Sequence, residues 1–278
     1  MHIEGKIGFI GGGRMAEALI KGITESGLIK AEMVLAVDPA PERRQLLADQ
    51  YGVAAAGDGA GLADCRIVIL AVKPQVMSKV LALNNDNFSG GQLVISIAAG
   101  ISLDFLESCL AGRDCRVVRV MPNTPALVLE GASALCGGSR TTSSDLEEAR
   151  RIFDAVGSSV ILSEAEMDAV TGLSGSGPAY VFSFIEALID SGVKVGLARN
   201  VAEKLVLQTV LGSVRMAMTT GEHPASLRAM VTSPGGTTIA GLHVMERAGF
   251  QGIIMDAVEA ATSRSRELGL LAAGKKGA

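Results

Sequence analysis

The sequence predicts a doubly wound α/β domain followed by an all-α domain. Short, β-branched apolar runs alternate with amphipathic helical patterns through the first half of the chain. A glycine-rich turn follows the first of those runs at once, and after about residue 164 strand signals give way to helical patterns. At 278 residues the chain is long for one core, so two domains are expected, residues 1–164 and 165–278.

The expected strands are Lys6–Ile10, Met33–Val37, Arg66–Val72, Gln92–Ile97 and Arg116–Val120. Continuous apolar runs of this kind suit interior strands of a parallel sheet covered on both faces. Between them lie helical patterns at Ala16–Ser26, Glu42–Tyr51, Gln75–Leu83 and Leu103–Leu110. Ser133–Cys136 and Ser158–Leu162 are expected as edge strands around a helix from Asp145 to Val156, with Ser144 and Glu147 at capping-box spacing. Beyond them Ala179–Val193, Asn200–Thr219, His223–Val231, Thr237–Ala248 and Gly252–Leu268 read as helices. Tyr180–Ile185 and Leu205–Leu207 are apolar nearly all round, more than a small helical domain hides alone. A homodimer with a helical interface is therefore expected.

Composition narrows the function. Apolar content of 48% against 19% charged marks a globular chain and not a disordered one. A net charge of −4 gives no basic field for nucleic acid or anionic lipid, and the absence of Trp argues against base-stacking platforms. Cys65, Cys109, Cys115 and Cys136 form no C-x-x-C pair and no zinc spacing, so no metal site is expected. The first residues do not read as a signal peptide, and runs such as Ile67–Val72 are too short to cross a membrane. The expected address is a reducing cytoplasm.

Gly11-Gly12-Gly13-Arg14-Met15-Ala16 follows the first strand as G-x-G-x-x-A, in the strand–turn–helix context of a dinucleotide fingerprint. Gly11 permits the tight turn, Gly13 lets a pyrophosphate approach, and Ala16 allows close helix–strand packing. This makes the first domain a Rossmann-type domain binding NADH or NADPH. Asp38 ends the second strand, where an acid accepts from the ribose hydroxyls of NAD; Arg43 and Arg44 follow and suit the 2′-phosphate of NADP. The two signals conflict, and both cofactors stay open. Ala71-Val72-Lys73-Pro74 and Ala98-Ala99 lie at later strand ends, where open α/β sheets bind ligands. Small residues there leave room for a flat nicotinamide, and Lys73 suits a phosphate or ribose. Asn123, within Met121–Pro125, suits the carboxamide.

Ser233-Pro234-Gly235-Gly236-Thr237-Thr238 reads as a carboxylate cradle on a helix start, with Ser233 as N-cap and Pro234 at the first helical position. Gly235 and Gly236 expose backbone N–H groups, and Thr237 and Thr238 add hydroxyls. The bland alternative is a well-capped helix that binds nothing. Leu173–Tyr180 offers Ser174 and Ser176 between Gly175 and Gly177, with Pro178 starting a helix; its alternative is an inter-domain hinge. His2, His223 and His243 read as structural residues, so no convincing general acid serves an alcohol dehydrogenase. Hydroxyls without a base suit reduction of an imine, because a protonated iminium accepts hydride at carbon without a proton delivered to oxygen.

These residues resemble pyrroline-5-carboxylate reductases along almost the whole chain. The resemblance rests on Gly8–Ala16, Ala71–Gln75, Ser96–Gly100 and Met121–Pro125, and most specifically on Asp168–Tyr180 with Val231–Thr238. It implies NAD(P)H-dependent reduction of 1-pyrroline-5-carboxylate to L-proline, and an interlocked helical dimer that often assembles further into decamers, a pentamer of dimers. It also implies that the Ser233–Thr238 turn holds the substrate carboxylate, that Thr238 bonds the ring nitrogen or carboxylate, and that Ser176 lies nearby. Arg14 stands where the family commonly has Asn or Gln, and Asp38 where members have Ser or Asn. The nearest rival is a β-hydroxyacid dehydrogenase, for which Lys194 is the candidate acid/base; a rival of another class is a catalytically idle NAD(P)H sensor.

Overall fold

The computed structural model describes residues 2–272, and these divide into two compact units, 2–176 with 259–272, and 177–258. The first unit carries a sheet that has eight strands among the described residues, in the order β3-β2-β1-β4-β5-β6-β7-β8. The strands are β1 (Lys6–Ile10), β2 (Val34–Val37), β3 (Ala54–Ala56), β4 (Cys65–Leu70), β5 (Leu93–Ser96), β6 (Arg116–Met121), β7 (Gly131–Gly137) and β8 (Gly157–Ile161). The strands from β3 to β6 in that order run parallel; β7 runs antiparallel to β6, and β8 parallel to β7. The order reverses between β1 and β4, which puts the topological switch point beside the glycine-rich turn.

Period-two alternation sends Ile7, Phe9, Ile67, Ile69, Leu93, Ile95, Val118 and Val120 to one face. There they meet Leu19, Ile20 and Ile23 of α1 (Arg14–Glu25), Leu47 of α2 (Pro41–Tyr51), and Ile152 and Phe153 of α5 (Ser143–Asp154). Val68, Leu70, Val94 and Val117 face the other way. They pack on Met77 and Leu81 of α3 (Met77–Leu83), Leu106 of α4 (Leu103–Cys109) and Met167 of α6 (Met167–Val170).

Four sequence expectations need correction here. β3 was not anticipated, since its three alanines carry no β-branched signal and it pairs only along β2 at the sheet edge. β7 is an interior strand between β6 and β8, so of the two expected edge strands only β8 lies at an edge. The capping box of α5 is Thr142 with Asp145, not Ser144 with Glu147: Thr142 Oγ1 accepts from Asp145 N, and Asp145 Oδ2 accepts from Thr142 N at 2.9 Å. Both pairs have the right spacing, but the helix begins at Ser143, which leaves Thr142 outside it as the cap. The fourth, at Ser233 and Pro234, concerns the candidate site and is described with it.

After α6 the helix continues through a π-turn at Thr171–Gly175 into α7 (Gly177–Lys194). The second unit holds α7, α8 (Arg199–Thr220), α9 (Pro224–Met230), α10 (Thr237–Arg247) and the start of α11 (Phe250–Ala272). α7 and α8 approach so closely that a Cβ on Gly192 would lie 2.8 Å from that of Ala202. Phe184 packs on Phe250 with ring centroids 6.3 Å apart. Large apolar side chains nevertheless stay exposed, among them Phe182 at 64%, Leu205 at 55% and Met218 at 77%. A surface so apolar is an interaction surface by ordinary expectation.

Candidate active site

The turn after β1 is built so that only glycine fits its first position. Gly11 has φ +99°, and a Cβ there would sit 2.6 Å from the carbonyl oxygen of Ala71 at the end of β4. Gly11 N donates to Val37 O and Ala71 N to Ile10 O, so the ends of β1, β2 and β4 are stitched together at this point. Gly13 is the N-cap of α1, with no side-chain cap, and a Cβ on it would meet nothing within 4 Å. The first-turn amides, those of Arg14, Met15 and Ala16, therefore have no side-chain cap, as an anion site requires. Ala16 is buried against the sheet, Met15 packs partly on the core, and the Arg14 side chain is exposed.

Asp38 sits beside this turn. Its carboxylate accepts from Gly12 N at 2.7 Å and from Ala40 N at 2.9 Å. Arg43 is held within the protein: Nε donates to Gly12 O at 2.7 Å, and its guanidinium pairs with Glu17 at 2.6 Å. Arg44 donates to the carbonyl oxygens of Asp38 and Pro39, which holds its guanidinium against the end of β2.

The later strand ends converge on a cavity of about 670 Å³ in the first unit. Pro74, Ala99 and Gly100 supply the sheet side of its wall, and Thr171 and Ser176 the helical side. Ala98 is buried behind Ala99, Val72 packs on the core, and Lys73 is exposed. The π-turn brings Ser176 into the wall, with Ser176 N donating to Thr171 O at 2.9 Å. π-turns of this kind recur at functional sites. Asn123 locks the turn in place: Nδ2 donates to Ser174 O at 3.0 Å and Oδ1 accepts from Ala132 N at 2.9 Å. Ser174 Oγ donates back to Val170 O, within its own helix.

One wall was missed from the sequence. Ala261, Arg264, Ser265 and Leu268 of α11 line the same cavity, and Ser265 Oγ donates to Asp168 at 2.7 Å. Their spacing of three and four residues is the signature of one helical face, but nothing in it distinguishes a ligand wall from core.

In the second unit the Ser233–Thr238 segment corrects the expected cap. α10 begins at Thr237 with Gly236 as N-cap, while Ser233–Gly236 forms a β-turn closed by Gly236 N donating to Ser233 O at 3.1 Å. Gly235 has φ +67° at the third position of that turn, which glycine adopts freely; the turn therefore keeps Ser233 and Pro234 outside the helix. A Cβ on Gly236 would fall 2.3 Å from Ser233 Oγ, so a side chain here would displace the Ser233 hydroxyl. No side chain caps the helix, which leaves the first-turn amides facing outward beside the Thr237 and Thr238 hydroxyls. His223 is a structural cap of α9, its Nδ1 accepting from Ala225 N at 3.2 Å.

Burial pushes the Cys65 thiol up to about 11 and the Cys136 thiol up to about 12, which leaves both protonated and inert at neutral pH.

Two family models match the chain. Residues 164–268 match pyrroline-5-carboxylate reductase dimerisation, and residues 6–100 match NADP oxidoreductase coenzyme F420-dependent. The pyrroline-5-carboxylate reductase of Methanosarcina acetivorans is 47% identical over 265 residues, covering 95% of this chain and 98% of that protein. That of Escherichia coli is 40% identical, covering 96% and 99%. Among solved structures, the Plasmodium falciparum pyrroline carboxylate reductase with NADP bound superposes with a TM-score of 0.86 at 37% identity, over 97% of this chain and all of that one.

Proposed function

The chain belongs to the pyrroline-5-carboxylate reductase family, and we propose that it reduces the C=N bond of 1-pyrroline-5-carboxylate with NADPH or NADH, giving L-proline in the last step of proline synthesis. The observation that carries the reading is identity of 40–47% to reductases of that name over nearly their full length.

The residues of the first unit fit a dinucleotide. The uncapped start of α1 and the open space at Gly13 suit a pyrophosphate, and Gly11, Gly12, Arg14, Met15 and Ala16 form the turn around it. Asp38 suits the adenosine ribose. Ala71–Pro74 and Ala98–Ala99 suit the nicotinamide end, with Asn123 acting through the π-turn that carries Ser174 and Ser176. When bound, the reduced nicotinamide supplies hydride.

The protein's own residues then have three tasks. The amides of the Gly235–Thr238 segment, with the Ser233, Thr237 and Thr238 hydroxyls, hold the substrate carboxylate, each charge-assisted hydrogen bond worth roughly 1.5–3 kcal/mol. Thr238 bonds the ring nitrogen or the carboxylate. The apolar lining excludes water, so that the protonated iminium, already an electrophile, is reduced at carbon while its nitrogen keeps its proton. The exposed apolar helices of the second unit form a homodimer, with a pentamer of dimers as the further assembly, in the cytoplasm.

The test is oxidation of NAD(P)H in the presence of 1-pyrroline-5-carboxylate, compared with a panel of keto acids and, in reverse, hydroxyacids. Turnover confined to the imine is expected. Turnover of the panel without the imine would overturn the reading.

A further inference from the structure

We infer that Glu164 is a positioning residue for the nicotinamide end of the cofactor, acting through the loop 97–102; the inference rests on the reductase reading above. Arg119 of β6 lies on the sheet face that carries Val117, between Ser96 of β5 and Cys136 of β7, with its side chain 8% exposed. A cation at such a site needs a fixed partner. Its Nη1 meets Glu164 Oε1 at 3.1 Å, and the same oxygen accepts from Leu103 N at 2.7 Å.

Leu103 is the first residue of α4, and Ser102 before it caps the helix by accepting from Phe105 N. The buried cation thus anchors a carboxylate that fixes where the loop after β5 turns into α4. That loop carries Ala98, Ala99 and Gly100, and Gly100 holds φ +72°. Ala99 and Gly100 are the sheet-side wall of the cavity. A shift of Leu103 therefore moves the surface on which a nicotinamide would rest and leaves the Gly11–Ala16 turn, on β1, untouched.

A purely structural ion pair behaves differently from a positioning one. Replacing both charges of a buried pair with neutral groups of similar volume is often neutral or stabilising. Arg119→Met with Glu164→Gln removes both charges and keeps an acceptor for Leu103 N–H. Arg119→Met with Glu164→Leu removes the acceptor as well. Glu164→Asp in the otherwise wild-type protein keeps the charge for Arg119 and withdraws the oxygen from Leu103 by one methylene.

The experiment titrates each protein with NADH and with ADP-ribose, which lacks only the nicotinamide, and repeats the pair with NADPH and 2′-phospho-ADP-ribose. The Leu double variant and Glu164→Asp are expected to lose about tenfold in affinity for the dinucleotide, the size of one such hydrogen bond, and under twofold for the ring-less probe. The Gln double variant is expected to stay within twofold on both. Equal losses on both probes in Glu164→Asp, or no loss on either, would overturn the assignment. Wild-type protein that bound no dinucleotide would instead overturn the reductase reading beneath it.

Discussion

Asp38 and Gly12 are joined by a 2.7 Å hydrogen bond from the turn amide to the carboxylate, which fastens the end of β2 to the fingerprint loop. With Ala40 N on its other oxygen, the carboxylate is immobile, yet each oxygen keeps lone-pair capacity for a ribose hydroxyl. A 2′-phosphate brought to the same place meets a fixed negative charge, while Arg44 is held at the end of β2 by the carbonyls of Asp38 and Pro39. Asp38→Asn removes the charge and keeps an acceptor for Gly12. We predict that the ratio of the NADPH to the NADH dissociation constant falls by about tenfold, roughly one charged interaction. Nicotinamide fluorescence titration measures both constants, and an unchanged ratio would refute the role.

The first and third fingerprint glycines serve different ends, and mutation separates them. Gly11→Ala forces a Cβ onto the Ala71 carbonyl at a positive φ, so thermal stability is expected to drop by about 2 kcal/mol or more. Gly13→Ala projects its methyl into open space. Its melting temperature should match the wild type, while dinucleotide affinity falls at least tenfold because the methyl takes the place of the pyrophosphate. A Gly13→Ala protein that binds normally would remove the pyrophosphate from that position.

The parallel strands and their helices were legible because buried β-branched runs are distinctive; Ile67 to Leu70 is apolar on both faces and reads as interior strand at once. The fingerprint was legible because Gly11 answers to a backbone constraint that sequence displays directly. What could not be read is relational. Ala54–Ala56 becomes a strand only because β2 lies beside it. The Arg119–Glu164 bond spans 45 residues of sequence, and the Ser265–Asp168 bond 97, with no local pattern announcing either. Thr142 and Ser144 are equally good caps by composition, and tertiary packing of α5 selected between them. Ser233 failed as a cap because the Gly235 conformation closes a turn first.

The thiols offer a check that depends on burial alone. With their thiols pushed to about 11 and about 12, Cys65 and Cys136 are thiolate to at most about one part in a thousand at pH 8. At pH 8 iodoacetamide should therefore modify the half-buried Cys109 first in the native protein, with Cys65 and Cys136 reacting at that pH only after unfolding. Alkylation of the native pair should accelerate as pH rises toward 11. Mass spectrometry of the modified protein reads out the order, and prompt labelling of Cys136 at pH 8 would contradict the burial described.

Thr238 gives the most direct test of the substrate cradle. It stands in the first turn of α10, where Gly236 leaves the helix without a side-chain cap. Thr238→Ala removes the hydroxyl and preserves the amide and the helix. If that hydroxyl bonds the charged substrate, its loss costs roughly 1.5–3 kcal/mol, or about ten- to a hundredfold in kcat/KM for 1-pyrroline-5-carboxylate. NAD(P)H affinity should change less than twofold, since the fingerprint and its strand ends are unaltered. Thr238→Ser restores the hydroxyl and should recover most of the activity, which separates hydrogen bonding from packing of the lost methyl. Wild-type kinetics in Thr238→Ala, or failure of Ser to rescue, would place the carboxylate elsewhere.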